Sequence, residues 1–376
     1  MQDGNVLEDM LQWPFYGHLA DNLGAGHVAR LREVSRGVKA HVDQVRRART
    51  IRLRQEWFAG LPGTAEQKRQ AVMERLGALV ATGAVIKELA LVRAGLDGTE
   101  PALLSAITPA LEKLELQGNF VGGPGVWALH RALRVSLSLR SLTYLNLGAN
   151  DSEVGSAGLA RLLPDLLSLS HLALADCDMR EEDAVSLAPA LRQCRRLTRV
   201  DLSGNFILGG VDLLVPALAL MPGLVHLNLR DCAFDDSEAL AGVLAQCRAL
   251  VFVNLSSCGL EGSFGLLNAV WPQMPGLAYL QLNDNGASAR DMEGLADALP
   301  LCPALRQVCV HQNSLGSAQA VVALAAALAA CPWLETLDVQ QTVWNHPLRQ
   351  WQALSPAHEQ LLLAAWAPRA GNELWR

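Results

Sequence analysis

One feature constrains this chain more than any other: a motif that returns at nearly fixed intervals through two thirds of its length. The pattern L-x-x-L-x-L-x-x-N, with Val or Ile standing for Leu and Cys, Ala or Thr for the final Asn, begins at Ile86, Leu111, Leu142, Leu169, Leu197, Leu224, Leu250, Leu277, Leu305 and Leu334. Successive starts lie 25 to 31 residues apart. At such a period each copy is one supersecondary unit that buries its apolar side only against its neighbours, so the fold is a stacked array.

Each motif position has a physical task. In L-x-L the two leucines, such as Leu145 and Leu147, point to one side of a strand and Asn146 to the other. The slot that closes the motif, Asn119, Asn150, Asn205, Asn285 or Asn313 in five copies, follows the strand, where an inward polar side chain bonds turn backbone left open as the chain bends away. Between motifs, stretches such as 184–197, 212–220 and 318–328 carry apolar residues at three-and-four spacing and read as one-sided helices. Prolines at 164, 222, 275, 303 and 332 fall between helix and strand, where a stop is wanted. Strands stack roughly 4.8 Å apart and helices need about 8 to 10 Å, so the array curves with its strands inside.

On these motifs the chain resembles the leucine-rich repeat family, over about residues 84–342. Its closest subclass is the long, cysteine-containing type found in ribonuclease inhibitors, Ran GTPase-activating proteins and the arrays of F-box proteins. The resemblance implies an α/β solenoid, a curved parallel sheet inside and helices outside. The expected organisation is a helical N-terminal domain at 1–83, ten repeats at 84–342 and a C-terminal helical cap at 343–376. The cysteines keep register too. Cys194, Cys247, Cys302 and Cys331 each stand three residues before a motif leucine, and Cys177, Cys232 and Cys258 fill the Asn slot. Thiols in equivalent slots read as buried apolar residues of a reducing intracellular compartment, cytoplasm or nucleus. No C-x-x-C pair is present and no metal is expected.

With the leucines consumed by the core, the intervening strand positions line the concave sheet in columns. The first column reads Lys113, Tyr144, His171, Arg199, His226, Phe252, Tyr279, Gln307 and Thr336. In a chain with only 5% aromatic residues this clustering of Tyr, Phe, His and Arg stands out, and Tyr and Arg are favoured interface anchors. The expected partner-binding residues are Tyr144, His171, Arg199, His226, Phe252 and Tyr279, with Asn228 and Arg230 from the neighbouring columns, gripping a protein. The competing reading is that these side chains pair with cross-strand neighbours on a solvated sheet.

The first 83 residues lack the motif and read as helices at 7–11, 27–45 and 65–81, the last with Thr64 as N-cap. Trp13-Pro14-Phe15 through Leu19, followed by Val28, Leu31 and Val34 in Leu-Arg-Glu-Val-Ser-Arg, resembles an F-box at about 7–45. That resemblance implies docking of a Skp-type adaptor of cullin ubiquitin ligases through Trp13, Pro14, Phe15, Leu19, Val28, Leu31 and Val34. A plain cap over the open end of the solenoid is the alternative. Arg46, Arg47, Arg49, Arg52 and Arg54 form a basic run read as a solvated linker helix, with RNA, anionic lipid or an acidic partner as the other readings. The tail carries Trp344, Trp351 and Trp366, as a cap over the last repeat would.

Several functions are disfavoured. The formal charge is −6, and residues 1–84 carry 12 basic against 9 acidic side chains, too slight an excess for a nucleic-acid binder. No apolar run of about 18 residues suggests a membrane span, and the acidic N-terminus does not read as a signal peptide. Neither a G-x-S-x-G nor a P-loop motif is present, so neither catalysis nor a cofactor is expected; His171 and His226 with Asp201 between them are the one conceivable acid–base group. Three roles follow for a non-catalytic binding module. They are a ubiquitin-ligase substrate receptor, a scaffold or inhibitory subunit of an assembly, and, by repeat-class similarity alone, a GTPase activator.

Overall fold

The computed structural model describes residues 50–53 and 64–375, apart from 151–154, 206–210, 235, 316, 340–342, 346–349, 353 and 367–372. Each motif start from Ile86 to Leu305 marks a unit in which a short strand is followed by a helix. The strands pair in parallel and in sequence order, from Val85–Ala90 through Lys113–Glu115, Tyr144–Asn146 and so on to Thr336–Asp338, forming the expected leucine-rich-repeat sheet backed by helices. The paired strands are in strict register, Leu145 opposite Leu172 and Leu172 opposite Val200, because the leucine that faces the core is the same motif position in each copy.

Both inward leucines of each unit are essentially sealed from solvent, as at Leu145, Leu147, Leu227 and Leu229. Helix lengths vary with what fills the space behind the strand. The helix Gly123–Val135 has 13 residues, whereas the unit after Phe252–Asn254 has only Phe264–Asn268 before a 3₁₀ turn, Trp271–Gln273. Phe264 and Trp271 are wholly buried there, and their bulk replaces the missing helical turns.

The Asn slot behaves as its chemistry requires. Asn205 donates from Nδ2 to the carbonyls of Leu174 and Leu202, both at 2.7 Å, and its Oδ1 accepts from the amides of Cys177 and Met179 at 3.0 and 3.2 Å. It thereby joins one turn to the previous one. Where Cys fills the slot the thiol keeps only the donor half: Cys177, Cys232 and Cys258 donate to the carbonyls of Leu147, Leu202 and Leu229 at 3.3, 3.2 and 3.0 Å. All eight cysteines are buried and none is in a disulfide. Burial pushes the thiols of Cys177, Cys232 and Cys302 up to about 12 and those of Cys194 and Cys247 up to about 11. Since the thiolate is the reacting species, iodoacetamide at mildly alkaline pH is expected to leave all eight unmodified in the folded chain and to alkylate all eight in guanidinium, as read by intact mass. Labelling of any one in the folded chain at the rate of a free thiol would contradict this packing.

Three differences from the sequence reading concern the ends. Within the basic run, Thr50–Leu53 is a strand and not a linker helix; it pairs in parallel with Val85–Ala90, shifting register between Ile51 and Arg52. The open edge of the first repeat strand presents unpaired amides and carbonyls, and this segment satisfies them. At the other end the helix Pro356–Trp366 packs on Ala318–Ala330 and buries Leu362 and Trp366. The sheet then gains a further strand, Glu373–Trp375, on Thr336–Asp338, and a hairpin joins Val343–Asn345 to Gln350–Gln352; strands were not expected in this tail. The helix Ala65–Ala81 begins at Thr64 with a reciprocal cap to Gln67. The F-box-like residues Trp13, Pro14, Phe15, Leu19, Val28, Leu31 and Val34, and the helices expected at 7–11 and 27–45, lie outside the described residues. No helix among the described residues is long and apolar enough to cross a membrane.

Candidate functional site

Strict register turns the first column into a physical row. Lys113, Tyr144, His171, Arg199, His226, Phe252, Tyr279, Gln307 and Thr336 are successive cross-strand partners on the sheet face opposite the leucines. Neighbouring strands lie about 4.8 Å apart, a spacing at which flat side chains stack. They do so in two groups. Lys113 Nζ stands 4.4 Å above the Tyr144 ring, which leans on His171 at 5.8 Å; His226 lies parallel to Phe252 at 4.1 Å, and Phe252 meets Tyr279 at 6.4 Å.

Between the two groups stands Arg199, exposed and without an ion pair among the described residues. Burial, and secondarily the Arg199 charge, hold both His171 and His226 below the ordinary histidine range, so near neutral pH the centre of the row carries one cation flanked by two neutral rings. His171 Nδ1 is held by Ser170 Oγ at 2.7 Å. The apolar exposure is smaller than the sequence suggested, because Tyr144 and Phe252 are half-buried by their row neighbours and Tyr279 alone of the three is exposed, at 43%.

The neighbouring columns are polar and largely engaged with one another. Asn228 donates to Ser203 Oγ at 3.2 Å and accepts from the Arg230 amide at 3.2 Å. Arg230 is exposed but paired with Asp231 at 3.0 Å. Asp201 accepts from both the amide and the hydroxyl of Ser203, at 3.0 and 2.6 Å, and from neither histidine, so the conceivable acid–base group is not assembled. What the sequence reading missed is the hydroxyl edge beneath the row. Thr143, Ser170 and Thr198 each donate to the carbonyl of the residue one repeat earlier at 3.0 Å, stiffening the strands that carry Tyr144, His171 and Arg199. The Thr or Ser immediately before each of these three row positions was the available signal.

No model of a known protein family matches the chain. It is 30% identical over 189 residues to "NACHT, LRR and PYD domains-containing protein 4E" of Mus musculus, covering 48% of this chain and 19% of that protein. With the ribonuclease inhibitor of Mus musculus it shares 28% over 227 residues, 57% of this chain and 49% of the inhibitor. With "Capping protein, Arp2/3 and myosin-I linker protein 2" of the same organism it shares 28% over 282 residues, 68% and 21% of the respective chains. The matches thus span about half of the inhibitor and about a fifth of the other two. Motif, register and these similarities agree on the architecture: the repeat region of this chain is a leucine-rich-repeat solenoid.

Proposed function

We propose that the chain is a non-catalytic binding module that holds a protein partner along the row from Lys113 to Tyr279. The observation that carries this reading is the row itself: stacked, pre-ordered side chains around the unpaired Arg199, on a sheet face that packs against nothing else in the described chain. Rings already held by their neighbours lose little freedom when a partner covers them, which favours binding over a mobile polar surface. Two of the similar proteins, from Mus musculus and Sus scrofa, are named for inhibiting a ribonuclease, a role exercised on another protein. The finer roles, receptor of a cullin-type ligase, scaffold subunit or inhibitor, share this grip and differ in what the N-terminal residues hold. Adaptor docking rests on the resemblance of Trp13 to Val34 alone.

A photocrosslinking amino acid at position 199 or 279 tests the reading, with position 322 as control, since Val322 is likewise exposed but belongs to a helix. Positions 199 and 279 are expected to trap the same protein and position 322 not to trap it. A protein trapped at 322 and at neither row position overturns the proposal.

A further inference from the structure

We propose that the helical side carries a second docking surface, which takes an acidic amphipathic segment of a partner protein. Two clefts, of about 870 and 560 Å³, meet there at Pro164. The first arises from unequal helices. Gly123–Val135 and Ser156–Leu162 are in contact at their starts, where a Cβ on Gly155 would stand 2.5 Å from Gly123 Cα and one on Gly158 would stand 3.0 Å from Val126. Aligned at those glycines, the shorter helix ends opposite His130, and the last turn of the longer one overhangs. His130 then reaches across to Asp165 at 2.8 Å.

Six exposed arginines line the two clefts, Arg131, Arg134 and Arg161 in one and Arg140, Arg195 and Arg196 in the other. None of them meets a carboxylate among the described residues, and the one acid lining either cleft, Asp165, is engaged by His130. Complementing the helix dipole accounts for Arg134 and Arg161, which lie in last turns, but not for Arg195 and Arg196 in the turn beyond a helix. Six guanidinium groups gathered on one side of a chain of net charge −6 call for external carboxylates.

The surface is also apolar. Val135 and Leu167 are 78% and 59% exposed, and Leu137, 75% exposed, sits at φ 63°, a conformation a leucine side chain disfavours. The second cleft is floored by Leu163, Leu166 and Leu169. A recess with an apolar floor and a basic rim accepts a leucine or phenylalanine side chain between acidic residues. A flat bilayer would leave that recess empty. A nucleic acid would want a free aromatic face, whereas Trp127 already has Arg161 over its ring at 5.0 Å.

The probe is a fluorescein-labelled peptide, DELDDFEELD, followed by anisotropy on the full chain at low ionic strength. Saturable binding is expected, weakened roughly tenfold by Arg134→Glu with Arg195→Glu and Arg196→Glu, and roughly threefold by Leu167→Ser, which leaves the charge unchanged. These are surface positions, and thermal melting checks that each variant folds. Absence of saturation overturns the proposal, as does indifference to the arginine substitutions. Indifference to Leu167→Ser reduces the surface to unspecific charge and also overturns it. Retention on vesicles containing about one third phosphatidylserine, undisplaced by the peptide, assigns the surface to lipid instead.

Discussion

Replacing Asn313 with alanine is expected to lower the free energy of unfolding by about 3 kcal/mol, because one side chain serves four backbone groups. Asn313 is fully buried. Its Nδ2 donates to the carbonyls of Leu282 and Val310 at 2.8 and 3.1 Å, and its Oδ1 accepts from the amides of Asn285 and Ala287, both at 3.1 Å. Alanine leaves the amides of Asn285 and Ala287 and the carbonyl of Val310 bare, while the Leu282 carbonyl keeps its bond from Asn285 Nδ2 at 3.0 Å; each bare group costs about 1 kcal/mol when water reaches it only in part. Asn313→Cys is expected to cost less, about 2 kcal/mol, since the fold already uses cysteine in this slot and a thiol retains one carbonyl bond. Guanidinium denaturation followed by circular dichroism measures both. A loss under about 1 kcal/mol for the alanine variant would mean that the slot does not couple successive turns.

How much of this was legible in the sequence depends on whether the period alone determines a feature. The order of the strands, the buried leucines and the Asn ladder follow from it, because a residue repeated at the same motif position must meet its counterpart one rung away. The left-handed residue before each ladder slot was not legible. It is Arg93, Gly118, Ala149, Asp176, Gly204, Asp231, Ser257, Asp284 or Gln312; Gly and Asp tolerate this conformation, but Arg93, Ala149 and Ser257 give no such signal and are held in it while their amides donate to a carbonyl of the next repeat. At both glycines of the set a Cβ would crowd the previous repeat, falling 1.9 Å from Asp176 Oδ1 at Gly204 and 2.6 Å from Arg93 Cγ at Gly118. The strand Thr50–Leu53 was hidden for the opposite reason, as it lacks the motif and is recruited by an open edge.

The candidate site divides in the same way. The columns could be written from spacing, so the membership of the row needed no coordinates. Its stacking did need them, because His226 parallel to Phe252 and Tyr144 tilted on His171 are rotamer choices within one register. The arginine-lined clefts escaped notice because they depend on two adjacent helices of unequal length, 13 and 7 residues, which period analysis treats as equivalent. The ring-bearing members of the row, Tyr144, His171, His226, Phe252 and Tyr279, each contact a row neighbour, so cross-strand pairing and partner binding are not exclusive; the first prepares the second.

That preparation fixes what the combined substitution Tyr144→Ala, Phe252→Ala and Tyr279→Ala should do. These side chains lie on the solvent side of the sheet, and each loses only its contacts with row neighbours, so the stability loss is expected to stay at about 0.2–1 kcal/mol per site. Binding should suffer more. Aromatic anchors in a contact contribute about 1–2 kcal/mol each, and removing three at once predicts a loss of roughly 3–5 kcal/mol, a weakening of about two to three and a half orders of magnitude in Kd. Tyr279→Ala alone should account for the largest single share, because it is the most exposed of the three and carries a hydroxyl free of intramolecular bonds among the described residues. Phe252→Ala should act partly through His226, whose ring loses the face it lies on at 4.1 Å and no longer holds its position beside Arg199. Titration calorimetry with the protein trapped at positions 199 and 279 gives the affinities, and thermal melting gives the stability. If the triple variant melts like the parent and binds within about threefold of it, less than 1 kcal/mol has been lost, and the row is a solvated surface whose rings serve only one another.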